Sequence, residues 1–300
     1  MNAPTVFVVV LNWNGWRDTD ACLESLADLD YPSYRVVVVD NASTDGSEAQ
    51  LRARHPSVTL LQSGANLGFA GGNNVGLRYA LEGGAEYVWL LNNDTLVEPD
   101  ALTQLMAKMQ RDPGLGLCGS TLIYEAQRGR VQALGGARYN RWLGSVRHLG
   151  QHQPRTQPIN ERAVEAQLDY LIGASLLVSK AFLESVGFMQ DDYFLYFEEL
   201  DWAARARGRF RLGYAAKSVV YHKEGSSIGG TDRAKTVKSY TADLYALKNR
   251  VRFTRRFYPY ALPTVYLGLL VALANRVRRR QWDRVALIVR IMLRGGEVGA

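Results

Sequence analysis

A chain of 300 residues with 47% apolar and 22% charged residues has ordinary globular composition. That excludes a largely disordered or fibrous protein and suits one large α/β domain with an extension, or two small domains. The net charge of +7 admits nucleic acid, anionic substrates or an anionic membrane surface as partners.

In chain order, the first element is a strand. Residues 5–11 are a continuous apolar, β-rich run, and no charged leader precedes them, so no signal peptide is read. Residues 35–39 and 87–91 are two further such runs. Strands without alternation are buried on both faces, as in a parallel sheet. Between them, Ala21, Leu23, Leu26 and Leu29 recur at helical spacing, as do Leu102, Leu105, Met106 and Met109. This alternation predicts a doubly wound sheet with ligands beyond the carboxyl ends of its strands. Residues 127–165 lack periodicity and are expected to form a long loop or irregular hairpin over the sheet edge. From about residue 236 the pattern is mainly helical. Cys22 and Cys118 show no metal-ligand spacing, which suits a reduced, cytosolic protein.

Polar residues occupy the expected strand ends. Asn12-Trp13-Asn14 follows the first run, Asp40 to Ser47 the second and Asn92-Asn93-Asp94 the third. Read alone, Asp40–Ser47 is a base-and-ribose pocket or, more commonly, a capping loop. The segment Asn66-Leu67-Gly68-Phe69-Ala70-Gly71-Gly72-Asn73-Asn74 opens a helix whose amides could meet phosphate, and is equally a glycine-rich helix start. It is neither a Walker loop nor a convincing dinucleotide fingerprint. Asp94 could hold Mg2+ or Mn2+ through oxygen, or simply sit in a turn. Glu198, Glu199 and Asp201 follow an aromatic run. Crowded carboxylates in such a cleft can supply a general base, and an acidic first helical turn with Asp201 pairing Arg205 is the plain alternative. His222, after a short apolar run, could ligate a metal or be structural.

The ordered set is more specific than any member. Residues 9–15, 39–47, 66–76, 90–94, 196–202 and 221–223 resemble the family-2 inverting glycosyltransferases of the GT-A fold, within them the bacterial rhamnosyltransferase-like branch. The resemblance covers roughly residues 5–230. It implies an α/β, Rossmann-like, mainly parallel central sheet flanked by helices, with a helical C-terminal extension. The implied catalytic domain is 1–235, its nucleotide-sugar half about 1–120 and its acceptor half about 120–235, with 236–300 as the helical segment. Asp40 resembles the pyrimidine-reading carboxylate. Asn12 and Asn41 resemble members of the nucleotide pocket, Asn66 and Gly68 its floor, and Asn92, Asn93 and Asp94 are implied among the nucleotide-sugar-binding residues. Asp94 matches the last position of the family's Asp-x-Asp metal motif, and His222 a histidine completing that site. Glu198 and Glu199 match the family's acidic base motif, with Asp201 beside them. Gly173 matches a small-residue segment near donor sugar and acceptor. Two departures stand out: Asn92 replaces an Asp, which weakens the expected metal binding, and Glu199 stands where Asp is commoner.

The resemblance implies a divalent metal, a dTDP- or UDP-linked donor, and a glycan or polyprenyl-diphosphate-linked acceptor; dTDP-rhamnose is the leading donor. Residues 260–274 form an apolar run of fifteen or so, short of the ~20 needed to span a bilayer. With the basic stretch 276–284 beside it, the run is expected to lie in a membrane interface at the inner face of the cell membrane. A buried or dimer-forming helix is the alternative. No nucleic-acid module is recognisable. A non-catalytic nucleotide-sugar binder and a nucleotidyltransferase are the competing functions.

Overall fold

A computed structural model describes residues 3–223 and 239–297. The expected boundary near residue 235 lies outside the described residues. The N-terminal part is built from β1 (Val6–Asn12), α1 (Trp16–Ala27), β2 (Tyr34–Asp40), α2 (Ser47–Arg54), β3 (Thr59–Gln62), α3 (Gly68–Glu82) and β4 (Tyr87–Asn92). A tight turn leads to β5 (Thr95–Val97), α4 (Ala101–Arg111) and β6 (Leu115–Tyr124). There follow β7 (Val131–Leu134), β8 (Gly136–Asn140), β9 (Ser145–His148), α5 (Glu161–Glu165) and β10 (Tyr170–Leu171). The domain closes with β11 (Ser175–Ser179), α6 (Lys180–Val186), α7 (Glu198–Ala206) and β12 (Arg211–His222). Three helices end the described chain: α8 (Tyr240–Phe257), α9 (Leu262–Arg278) and α10 (Trp282–Leu293).

The main sheet runs β3-β2-β1-β4-β11-β6-β12-β5, with β7 paired to β6. Strands β3, β2, β1 and β4 are all parallel. Strand β11 is antiparallel to both of its neighbours, β4 and β6. The sheet is therefore mixed, and its two halves share one continuous ladder. Segment 127–165 is more regular than its sequence suggests. Its short strands β8 and β9 join β10 in a second, three-stranded sheet. Strands of four or five residues are too brief to show a readable period.

Alternation along β1 explains the layers. Val6, Val8 and Val10 pack with Cys22, Leu23 and Leu26 of α1 and with Leu102, Leu105 and Met106 of α4. Phe7 and Val9 face the other way, onto Ala70, Leu77 and Ala80 of α3 and Trp202 of α7. A β-carbon on Gly76 would stand 2.3 Å from Val9 Cγ1, and one on Gly72 2.5 Å from Leu11 Cδ1. These two glycines of the glycine-rich motif thus serve close helix–sheet packing.

Candidate active site

The carboxyl ends of β1, β2 and β4 carry a connected polar network. Asn12 Nδ2 donates to Asp40 Oδ1 at 2.6 Å and to Ser43 Oγ at 3.1 Å. Asp40 is 1% exposed. It also accepts from Ser43 Oγ at 2.5 Å, Ser43 N at 3.1 Å and Gln62 Nε2 at 3.0 Å. Its carboxylate is thereby held rigid as an acceptor. Asp45 acts on the loop's far side, accepting from Ser47 N at 3.0 Å. Asn41 Nδ2 donates to Asn66 Oδ1 and to the Gly68 carbonyl, and Asn41 Oδ1 accepts from Leu67 N. These bonds pin the start of α3 against the end of β2. Asn93 turns inward, donating to Thr19 Oγ1 at 3.1 Å and the Gly15 carbonyl at 3.3 Å. It braces the β4–β5 turn on α1.

Asp94 and His222 meet. Pairing of β12 with β5 sets His222 opposite Thr95, and His222 Nε2 stands 3.2 Å from Asp94 Oδ1. Both side chains are nearly buried. His222 Nδ1 is 2.9 Å from Gln132 Oε1, a pure acceptor, so the proton belongs on Nδ1. The Nε2 lone pair then faces a carboxylate oxygen. A neutral imidazole nitrogen beside a carboxylate is a donor set that fits a divalent metal, and the same two side chains form an ion pair when the imidazole is protonated. The Asn92 side chain lies 3.4 Å from His222 Nε2 and offers an amide instead of a charge. Among the described residues no group of three or more His, Cys, Asp or Glu side chains is assembled to hold a metal. Gln132 escaped sequence reasoning because it lies in the aperiodic segment.

Helix α7 starts at Glu198, so the two glutamates diverge. Glu199 Oε1 accepts from the Gly173 N–H at 3.1 Å. A β-carbon on Gly173 would sit 2.6 Å from that same oxygen and 2.6 Å from Phe69 Cζ. Only glycine lets the carboxylate, the backbone and the α3 side chain meet. The next residue, Ala174, accepts from Asn92 N at 3.1 Å, which ties this corner to the Asp94–His222 corner. Glu198 is 2% exposed and its Oε2 lacks a hydrogen-bond partner. Burial, and then the neighbouring Glu199 charge, hold the Glu198 carboxyl well above the usual carboxylate range. Burial also raises Glu199, while backbone N–H groups, including that of Gly173, pull the other way.

Asp201 requires a correction. It was expected with the catalytic acids, but Arg205 Nε at 2.6 Å, Arg256 Nη1 at 2.9 Å and Tyr193 OH at 3.1 Å occupy its carboxylate. It is a fully buried ion-pair hub joining α7 to α8.

Comparison with known proteins identifies the family and the fold. Residues 7–185 match the profile described as Glycosyl transferase family 2. The chain is 27% identical over 172 residues to the low-salt glycan biosynthesis hexosyltransferase Agl10 of Haloferax volcanii, covering 57% of this chain and 52% of that one. It is 26% identical over 263 residues to the N-acetylglucosaminyl-diphospho-decaprenol L-rhamnosyltransferase of Mycobacterium tuberculosis, covering 79% and 82%. The match thus spans about half the length of the Haloferax relative. The fold resembles that of the mannosyltransferase PcManGT of Pyrobaculum calidifontis, solved with GDP-Man and Mn2+, at a TM-score of 0.59 and 18% identity over 98% of this chain and 88% of that one. The fold is thus GT-A, with helices added at the C-terminus.

The buried Glu198 makes a stability prediction. Its folded-state affinity for a proton exceeds the unfolded one, so its stabilising contribution is complete below the unfolded value near 4.5 and is lost as pH rises. Glu198→Gln removes that loss. Its melting temperature should exceed wild type by about 2 °C or more at pH 8, with the gap closing toward pH 4.5. A constant gap across that range, or a lower melting temperature at pH 8, would contradict the burial account.

Proposed function

The chain belongs to glycosyl transferase family 2, and from that premise we propose an inverting enzyme that transfers rhamnose from dTDP-rhamnose to a hydroxyl of a cell-envelope glycan or polyprenyl-diphosphate-linked sugar. The observation that carries the chemistry is Glu199, anchored on the Gly173 N–H next to the more deeply buried Glu198. Two adjacent buried carboxyls resist ionising together. Backbone hydrogen bonds favour the charged form of both, and Glu199 is the more exposed of the two, so in this reading it ionises first. Glu198 keeps the proton.

Glu199 then takes the proton of the acceptor hydroxyl. The acceptor oxygen forms its bond to the anomeric carbon as the bond to the diphosphate oxygen breaks from the opposite side. The nucleoside diphosphate leaves with that electron pair, and no covalent enzyme intermediate forms. Asp94 and His222, with Asn92 beside them, would hold Mg2+ or Mn2+, whose chemistry is to neutralise the departing diphosphate. Asn12, Asp40, Asn41, Asn66 and Gly68 form the nucleotide pocket in this reading. Direct readout of a pyrimidine N3–H by Asp40 requires Gln62 to release Oδ2. The same pocket accommodates a UDP-sugar, which a donor screen separates from the dTDP-sugar. Cys22 and Cys118, both free and buried, suit a cytoplasmic location.

The acceptor reading draws on α9. Pro259–Arg278 is a helical stretch of 20 residues, long and apolar enough by length and composition to cross a membrane. Its inner face, Val265 and Leu269, is buried against α8 and α10. Its outer face exposes Leu267, Leu270 and Val271, followed by exposed Arg278, Arg279 and Arg280. Trp142 extends this surface, its ring 5.4 Å from Tyr260. One face on protein and one apolar face rimmed by arginine suit a helix lying in an anionic interface.

Glu199→Gln should lower kcat by about 10³-fold, with donor affinity measured calorimetrically within about threefold of wild type. Turnover within tenfold of wild type would remove Glu199 from the base role. For the membrane reading, the full chain should float with vesicles containing anionic phospholipid and less with zwitterionic ones. Leu267→Glu combined with Val271→Glu should abolish flotation, and unchanged flotation would count against α9.

A further inference from the structure

The segment entering α7 has an improbable backbone. Phe194, Tyr196 and Phe197 take φ of 61°, 66° and 77°, in the left-handed region where side chains are strained. None is glycine, so something outside the segment must hold it. One face of α8 does so through residues at helical spacing. The Tyr245 ring stacks on Phe194, with centroids 4.7 Å apart and planes at 18°. Asn249 Nδ2 donates to the carbonyls of Tyr193 at 2.8 Å, Leu195 at 2.8 Å and Tyr196 at 3.0 Å. Arg252 Nη1 donates to the Asp192 carbonyl at 2.9 Å, and Arg256 reaches Asp201 inside α7. From the other side, Phe69 N donates to the Phe194 carbonyl at 2.6 Å. Gly68, at φ +70°, leaves room for that carbonyl, which a β-carbon would meet at 2.2 Å.

Asn249 is the centre of this clamp. It is fully buried, and its Oδ1 has no hydrogen-bond partner. Reversing the amide would set that oxygen against three carbonyl oxygens, so only one orientation serves. An unsatisfied buried acceptor opposes folding. Its retention here, beside a strained turn that ends at the base, marks placement over stability.

We propose that Asn249 is a positioning residue for transfer: α8 holds the 193–197 turn in its strained form and so aims Glu199. This rests on Glu199 being the base. It makes the C-terminal helices a working part of the catalytic centre as well as an attachment to it.

The test compares Asn249→Ala with Ile291→Ala, which opens a cavity in the same helical bundle on α10. Both are made in the full chain. Amide hydrogen exchange is followed in the 193–199 segment, and kcat and donor KM are measured with dTDP-rhamnose and N-acetylglucosaminyl-diphospho-polyprenol. Asn249→Ala should speed exchange at least tenfold in that segment and lower kcat about 10²-fold, with donor KM within about threefold. Ile291→Ala should lower the melting temperature and do neither. Wild-type exchange in Asn249→Ala, or kcat falling in both variants in step with melting temperature, overturns the proposal. Should Asn249→Ala fail to fold, Tyr245→Leu removes the ring stack on Phe194, along with the Lys248 contact to the same ring, and leaves the Asn249 bonds in place. A kcat loss at constant KM then supports the proposal, and wild-type kcat overturns it. Active Glu199→Gln would sink the base assignment instead, while the exchange result stands whichever donor is used.

Discussion

Two glutamates adjacent in sequence, Glu198 buried and Glu199 half-buried, stand at the entrance to α7, and no Lys, Arg or His among the described residues pairs with either. Burying one unneutralised carboxylate is costly, and burying two side by side is more so. Burial and the neighbouring charge hold Glu198 well above the usual carboxylate range, while backbone hydrogen bonds at both glutamates pull the other way. The Gly173 N–H bond to Glu199 organises that corner. Gly173 must be glycine because a β-carbon would collide with Oε1. Phe69 closes the same corner from α3. The turn before α7 takes positive φ at Phe194, Tyr196 and Phe197 as it leads to this carboxyl.

The sheet brings the other half of the site to the same rim. Strand β11 inserts antiparallel between β4 and β6, which puts the residues just before it against the end of β4. Ala174 bonds Asn92, and Asn92 stands beside His222. The base corner and the Asp94–His222 corner are therefore neighbours through one short backbone path. The parallel strands carry the Asn12–Asp40 network, and the antiparallel insertion carries Gly173 beside Glu199.

Much of this was legible in the sequence. Strands β1, β2 and β4 read as continuous apolar runs because both of their faces are covered. The polar residues at their ends, and the helix start at Glu198, followed from the same pattern. What failed to show depended on partners distant in sequence. Asp201 looked like part of an acidic cluster. Its i,i+4 partner Arg205 was visible, but Arg256, 55 residues away, was not. Gln132 fixes the His222 tautomer from a segment without period. Asn249 carried no signal at all, since its partners are backbone carbonyls and any sequence has those. Glycines read as a phosphate cradle proved in part to be the contact surface between α3 and β1, a distinction that needs three dimensions.

The central claim is that the glutamate pair holds one proton at neutral pH and that Glu198 carries it. Infrared difference spectroscopy of the carboxyl stretch tests this directly. The wild-type chain at pH 7 should show a protonated, buried carboxyl band that disappears in Glu198→Gln and persists in Glu199→Gln. Absence of the band in wild type, or its loss in Glu199→Gln with survival in Glu198→Gln, would contradict the account.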